Sequence, residues 1–162
     1  MGFLLLSQYQ IEREMNKVEL SEEKHANFLT TVAERCFVWY LQKDEGAAIC
    51  GSVDGERTVY LFWPTKAAAQ TCAVDEWVGY EPVKVPLAEY LEVWLIPLYE
   101  QGHLIGTNWG SDLNGKEMNP LELSLELVNS IRIADKEERL NLLMFDDLFE
   151  LEMVVKEALE AE

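Results

Sequence analysis

The 162-residue chain carries 30 acidic side chains, and two adjacent pairs, Asp44-Glu45 and Asp146-Asp147, are the first places where acid and base chemistry would be sought. A general acid and a general base must converge on one substrate. Neighbours on a strand or helix point apart, and in so acidic a chain adjacency needs no catalytic reason, so the pairs read as a turn and a solvated face. The two histidines, His25 inside a helical stretch and His103 at the start of a strand, belong to no cluster with metal-ligand spacing. Cys36, Cys50 and Cys72 are odd in number and lack zinc spacing, so they read as buried thiols of a reducing compartment. Cys50, in Ile49-Cys50-Gly51, has no basic neighbour to activate it, and the Gly-x-Ser-x-Gly elbow is absent. Asp112-Leu113-Asn114-Gly115 puts its glycine fourth where a calcium loop needs it sixth. Neither glycine-rich phosphate-binding pattern occurs. No catalytic residue, metal or cofactor is expected.

Charge narrows the partners. The net charge is −17, with 49% hydrophobic and 27% charged residues, an ordinary balance for a folded protein. Direct nucleic-acid binding is disfavoured, because phosphate contacts need clustered Lys and Arg. The acidity is concentrated downstream: residues 111–162 hold 14 of the acids against 5 of the 13 bases. The apolar start Met1 to Leu6 is too short for a signal peptide and has no basic residue before it, and no stretch approaches the ~20 apolar residues of a membrane span. These features predict a soluble, cytoplasmic protein.

The positioning elements follow from hydrophobic period and punctuation. Ser21 can cap a helix over 22–36 with Phe28, Leu29, Val32, Ala33 and Cys36 on one face. Phe37 to Leu41 reads as a strand, and Asp44-Glu45-Gly46 as a turn. Ala47–Val53 and Thr58–Trp63 flank Asp54-Gly55, the signature of a type I′ hairpin. Thr65 can cap a short helix, and Val83 to Val85, between Pro82 and Pro86, suits an edge strand. Pro86 opens a helix lined by Leu87, Leu91, Trp94, Leu95 and Leu98, which Pro97 should kink or split. Residues 103–109 form a strand, 110–119 a polar connection, and Asn119-Pro120-Leu121-Glu122 starts another helix. Residues 139–162 carry Leu142, Phe145, Leu148, Phe149, Met153 and Val155 as a terminal amphipathic helix, with Phe145, Phe149 and Met153 in its apolar stripe. The expected architecture is α+β: an antiparallel sheet of about four strands packed by helices, with an N-terminal extension (1–20), a domain (21–134) and an acidic C-terminal helix (135–162) on the same unit.

Trp39, Asp44-Glu45-Gly46, Phe62-Trp63-Pro64, Gly79-Tyr80-Glu81-Pro82, Trp94-Leu95 and the run from Gly102 to Asn108-Trp109 form an ordered set. In that order they resemble the bacterial family called domain of unknown function 2750, over about residues 22–130. The resemblance implies a small cytosolic bacterial protein and supplies no functional residue. The layout is also similar to the N-terminal domain of SseB-type proteins, which are linked with secretion and toxin neighbourhoods.

Two functions of different class are open. The first is a non-enzymatic acidic binding factor, of the inhibitor or immunity type, for a basic partner such as a toxin or nuclease. Asp146, Asp147, Glu150 and Glu157 would face that partner, and in the polar loop 75–80 Trp77 would be an exposed aromatic anchor, with Tyr80 in the same binding set. The terminal helix would pack on the core or pair with a second copy in a homodimer. The alternative is a small enzyme or ligand sensor with a pocket between sheet and helices, involving Cys50, Asn108 or Trp109.

Overall fold

The computed structural model describes residues 2–162, and side chains from Ser7 onward. The first helix, α1 (Gly2–Arg35), buries Phe28, Val32 and Ala33 as the periodicity predicts. It does not begin at Ser21. The preceding residues contain no proline and many good helix formers, so the helix runs back unbroken. From Gln8 to Leu20 nearly every side chain is exposed, Ile11, Met15 and Val18 included. Cys36, with φ 61°, then turns the chain into the first strand.

That strand, β1 (Phe37–Lys43), pairs antiparallel with β2 (Gly46–Ala47) across the Asp44-Glu45 turn and with β5 (Glu81–Pro86) on its other side. Asp44 adopts φ 54° there, and β5 lies at the sheet edge, as its two prolines require. A second sheet has the order β3-β4-β6-β7, from β3 (Ile49–Gly51), β4 (Thr58–Phe62), β6 (Leu104–Thr107) and β7 (Lys116–Met118). An antiparallel bridge, Trp39↔Trp63, joins the two sheets.

The α+β class is as expected, with three differences in the sheet. Strands β4 and β6 run parallel, because residues 63–103 cross over between them through helices. Strand β7 lies in what reads as a polar connection; Lys116-Glu117-Met118 is too short and charged to show alternation. The Asp54-Gly55 turn is not a two-residue hairpin. Residues 52–57 form a longer loop, in which the Asp54 carboxylate accepts the Glu56 N–H at 3.0 Å and the Ser52 hydroxyl. A side chain, not a pair of left-handed residues, closes this turn.

Among the remaining helices, α2 (Lys66–Thr71) is capped by the Thr65 hydroxyl, which accepts the Ala68 N–H at 3.1 Å. Helix 87–100 comprises α3 (Leu87–Glu89), a π-helical stretch (Tyr90–Leu95) and α4 (Ile96–Glu100). Pro97 offers no N–H to the preceding turn, and the helix absorbs the defect by widening just before it. Asn119 caps α5 (Pro120–Ala134) as expected, accepting the N–H groups of Leu121 and Glu122. The last helix is α6 (Leu148–Glu160).

Two apolar clusters hold the layers. The larger joins Phe28, Phe62, Tyr90, Leu127 and Leu151, and the smaller gathers Leu61, Trp63, Cys72, Trp77 and Trp109. One buried polar tie crosses the larger. His25 Nδ1 lies 2.7 Å from Thr107 Oγ1 and its Nε2 lies 3.0 Å from Glu126 Oε1, linking α1, β6 and α5. The His25 hydrogen bond holds the Glu126 carboxyl below its ordinary range. Its position three residues before Phe28 and seven before Val32 already places His25 on the buried stripe.

Thr107→Val keeps shape but leaves an imidazole nitrogen unpaired in the core, so denaturant unfolding should register a loss of about 1–3 kcal/mol. The triple variant Ile11→Gln, Met15→Gln, Val18→Gln should stay within about 0.5 kcal/mol of the parent in the same assay.

Candidate functional site

The C-terminal third forms the candidate site, and a carboxylate elsewhere in the chain builds it. After α5, Asp135 adopts φ 57° and ends the helix, a short 3₁₀ turn covers Glu137–Arg139, and residues 140–147 form an irregular strap before α6. The helix expected over 139–162 therefore starts only at Leu148. Two competitors displace its first turns. Glu92, in the π-helical stretch and only 3% exposed, accepts three consecutive strap N–H groups, from Leu143 at 2.8 Å, Met144 at 2.5 Å and Phe145 at 3.0 Å. A helix would direct those donors at its own carbonyls; here they converge on one anion, as in a backbone nest. The Asp147 carboxylate then accepts the Glu150 N–H at 2.8 Å and caps α6, while Glu150 Oε2 reaches back to accept the N–H of Asp146, one residue before the cap, at 3.3 Å; the two bonds fix where α6 begins.

The strap separates two hollows. One, of about 310 Å³, is lined by Glu137, Glu138, Leu140, Leu142, Asp146 and Asp147. The other, of about 390 Å³, lies against helix 87–100 and is walled by Leu87, Val93, Leu140, Leu143 and Met144, with Arg139 its only basic side chain. Arg132 braces the region from beneath, bonding Glu137 at 3.1 Å and Glu152 at 3.0 Å, and Lys156 pairs with Glu152 at 3.7 Å. Among the described residues, Glu138, Asp146, Asp147 and Glu157 enter no ion pair.

The apolar stripe of α6 is the expected one only at Leu148 and Val155. Leu148, Leu151 and Val155 face the core, whereas Phe149 is 61% and Met153 44% exposed; Phe145, on the strap, packs partly against the core. Leu143 at 84% and Met144 are exposed beside them in sequence. The Glu92 bonds use the strap backbone and leave these side chains outward.

The other expected site residues lie elsewhere. Trp77 is buried at 5% exposure, not exposed: a 3₁₀ turn (Asp75–Trp77) rolls it into the smaller cluster, where Tyr80 also packs half-buried. Neither joins the acidic face. Cys50, Asn108 and Trp109 serve structural ends. Burial, then the charges of Glu117 and Glu76, push the Cys50 thiol up to about 11, so it stays protonated at neutral pH. Asn108, with φ 53°, donates its side-chain amide to the Lys24 carbonyl at 3.0 Å. The Trp109 carbonyl accepts from the Trp63 indole at 2.8 Å and the Cys72 thiol, and its own indole donates to the Lys116 carbonyl at 2.9 Å. A Cβ at Gly106 or Gly115 would meet the Trp109 ring at 2.7 Å or less, which explains the glycines around this tryptophan.

Glu92 is the residue that sequence reasoning passed over. The signal was an acid four residues after the buried Ala88 and three before the buried Leu95, on a face otherwise apolar. Glu92→Ala should destabilise the protein by about 3 kcal/mol and speed hydrogen exchange at the amides of 143–145 before any change in α5. At the cap, Asp147→Ala should cost about 1 kcal/mol and Asp147→Asn a few tenths at most, measured by thermal unfolding.

Among the described residues no helix is long and apolar enough to cross a membrane. No match is found among curated proteins or solved structures. A family model described as a protein of unknown function, DUF2750, matches residues 25–127, a span from the buried His25 through Asn108-Trp109 to α5 that stops short of the strap and α6. The chain belongs to the DUF2750 family.

Proposed function

We propose that the protein is a non-enzymatic binding factor whose strap and α6 receive a basic protein, as an inhibitor or immunity-type factor of a bacterium or its mobile elements would receive a toxin or nuclease. The observation that carries this reading is the set Glu138, Asp146, Asp147 and Glu157, without cationic partners among the described residues, in the same segment as exposed Leu143, Met144, Phe149 and Met153. Free carboxylates and exposed apolar side chains on one segment suit a partner that offers basic residues and an apolar surface of its own. A second copy is a poorer fit through α6, because Glu150 and Glu157 flank the exposed face and would meet their like. The field of a −17 chain would speed encounter with such a partner, most strongly at low salt.

The test separates local from global charge. Glu138→Lys, Asp146→Lys and Glu157→Lys together leave the Asp147–Glu150 cap intact, and Glu12→Lys, Glu14→Lys and Glu19→Lys on α1 change net charge equally. A basic partner captured from lysate at low salt should associate about tenfold or more slowly with the first variant and nearly normally with the second, by surface plasmon resonance. Equal effects of the two variants would reduce the site to general acidity, and no effect of either would end the electrostatic reading.

A further inference from the structure

The strand register leaves one edge of the joined sheets open. Residues 46–51 run without a break along β1 and then along β4: the Ala48 N–H donates to the Leu41 carbonyl at 2.9 Å, and the Ala48 carbonyl accepts the Leu61 N–H at 3.3 Å. Bonded and non-bonded pairs alternate in an antiparallel ladder. With Ala48 bonded on both counts, and the Ser52 N–H on the Arg57 carbonyl at 2.9 Å, the inward-facing residues are Gly46, Ala48, Cys50 and Ser52. Ala47, Ile49 and Gly51 therefore aim their N–H and C=O groups away from both β1 and β4. Strands β2 and β3 each end their sheet, so among the described residues no strand receives those groups.

The other edges are guarded. On β5 the Leu87 N–H bonds the Cys36 carbonyl at 2.9 Å, which makes Val85, Val83 and Glu81 the residues bonded to β1 and turns Pro82, Lys84 and Pro86 outward. Two of those positions have no N–H to offer and the third carries a charge, and both devices discourage strand addition. Strand β7 is short and charged, and the Trp109 indole already takes the Lys116 carbonyl. Between Gly46 and Gly51 there is neither proline nor charge. Ile49 and Gly51 are exposed, and a Cβ at Gly51 would meet nothing within 4 Å. Free N–H and C=O groups at every second residue, beside open space, are what an added strand completes.

We infer that residues 46–51 are a docking edge for an extended peptide of another protein, apolar at alternate positions and basic at its ends, which adds a strand outside Ala47, Ile49 and Gly51. Ile49 lies opposite Tyr60 in a non-bonded pair, where side chains approach most closely, so the two form an apolar ledge beside the edge. Ala47 and Gly51 are small, which leaves room for β-branched side chains of the incoming strand on that face. Charge selects the occupant. The two ends of the edge hold Asp44, Glu45, Asp54 and Glu56 against Lys43 and Arg57, so basic residues flanking the peptide's strand are favoured. A second copy paired antiparallel about Ile49 would set Glu45 opposite Val53, bring these acidic ends together and oppose two chains of net charge −17.

The experiment is an NMR amide titration of the full chain with the peptide acetyl-Lys-Val-Thr-Val-Thr-Val-Lys-amide and two N-methylated forms of it. With the central valine opposite Ile49, the valine N–H groups point at the edge and the threonine N–H groups at solvent. Saturable shifts should centre on residues 46–51, with slowed hydrogen exchange at Ala47, Ile49 and Gly51 and none added at Cys50, whose amide already bonds β4. The form methylated at threonine should bind within about threefold of the parent, and the form methylated at valine, stripped of its edge-facing donors, about tenfold or more weakly. In the protein, Ile49→Pro removes an outward N–H and should weaken the parent peptide about fivefold or more, with the α5 signals unmoved. Equal binding of the two methylated forms, or no saturable shift over 46–51, would overturn the inference. So would slowed exchange at those three amides in the peptide-free chain as its concentration rises, the mark of a second copy on the edge.

Discussion

The contact between the Glu92 carboxylate and the N–H groups of Leu143, Met144 and Phe145 decides what the last third of the chain becomes. An ionised carboxylate cannot be left unpartnered in an apolar setting, and a run of amides cannot be left without acceptors. Each solves the other's problem. With those donors committed, the strap cannot be helical, α6 starts late under the control of Asp147, and the helix rotates Leu148, Leu151 and Val155 inward. Phe149 and Met153 are left outside as a consequence. The candidate face thus results from one buried acid on a neighbouring helix, more than from the periodicity of its own sequence.

The carboxylates of this acidic protein fall into distinct jobs. Glu92 is internal, Asp147 and Glu150 cap a helix, Glu126 holds a buried imidazole, and Glu137 and Glu152 share Arg132. Those groups have structural reasons to exist. Glu138, Asp146 and Glu157 make none of these contacts, which is why their charge is available for an encounter and why altering them tests recognition without testing the fold. Exposed ion pairs contribute little to stability, so Arg132 acts chiefly by gathering α5, the 3₁₀ turn and α6 into one arrangement.

Much of the fold was legible because its signals are local. The Asn119-Pro120 start of α5, the Thr65 cap of α2, the Asp44-Glu45 turn and the proline-bounded edge strand each rest on the chemistry of a few neighbouring residues. What escaped depends on partners far along the chain. The parallel pairing of β4 with β6 needs the whole crossover, β7 exists only because β6 offers it an edge, and residues 140–147 read as helix until Glu92, about fifty positions earlier, claims their amides. Trp77 looked exposed because its loop is polar, yet a single 3₁₀ turn suffices to bury one ring among acids that stay in water. The ordered aromatic and glycine set that carries the family resemblance is explained by Trp109, whose carbonyl and indole join Trp63, Cys72 and Lys116 over two glycines that leave room for its ring. It is a packing device, which is why the resemblance reached the fold and no further.

Recognition of a basic partner by the strap and α6 can be measured by amide chemical-shift mapping on the full chain, titrated with a synthetic basic amphipathic helix at low and at moderate salt. Saturable shifts concentrated at residues 137–157, on the strap and the outward side of α6, and weakening as salt rises, are expected. Shifts spread evenly over the acidic surface, or centred on α1 with residues 137–157 silent, would contradict it.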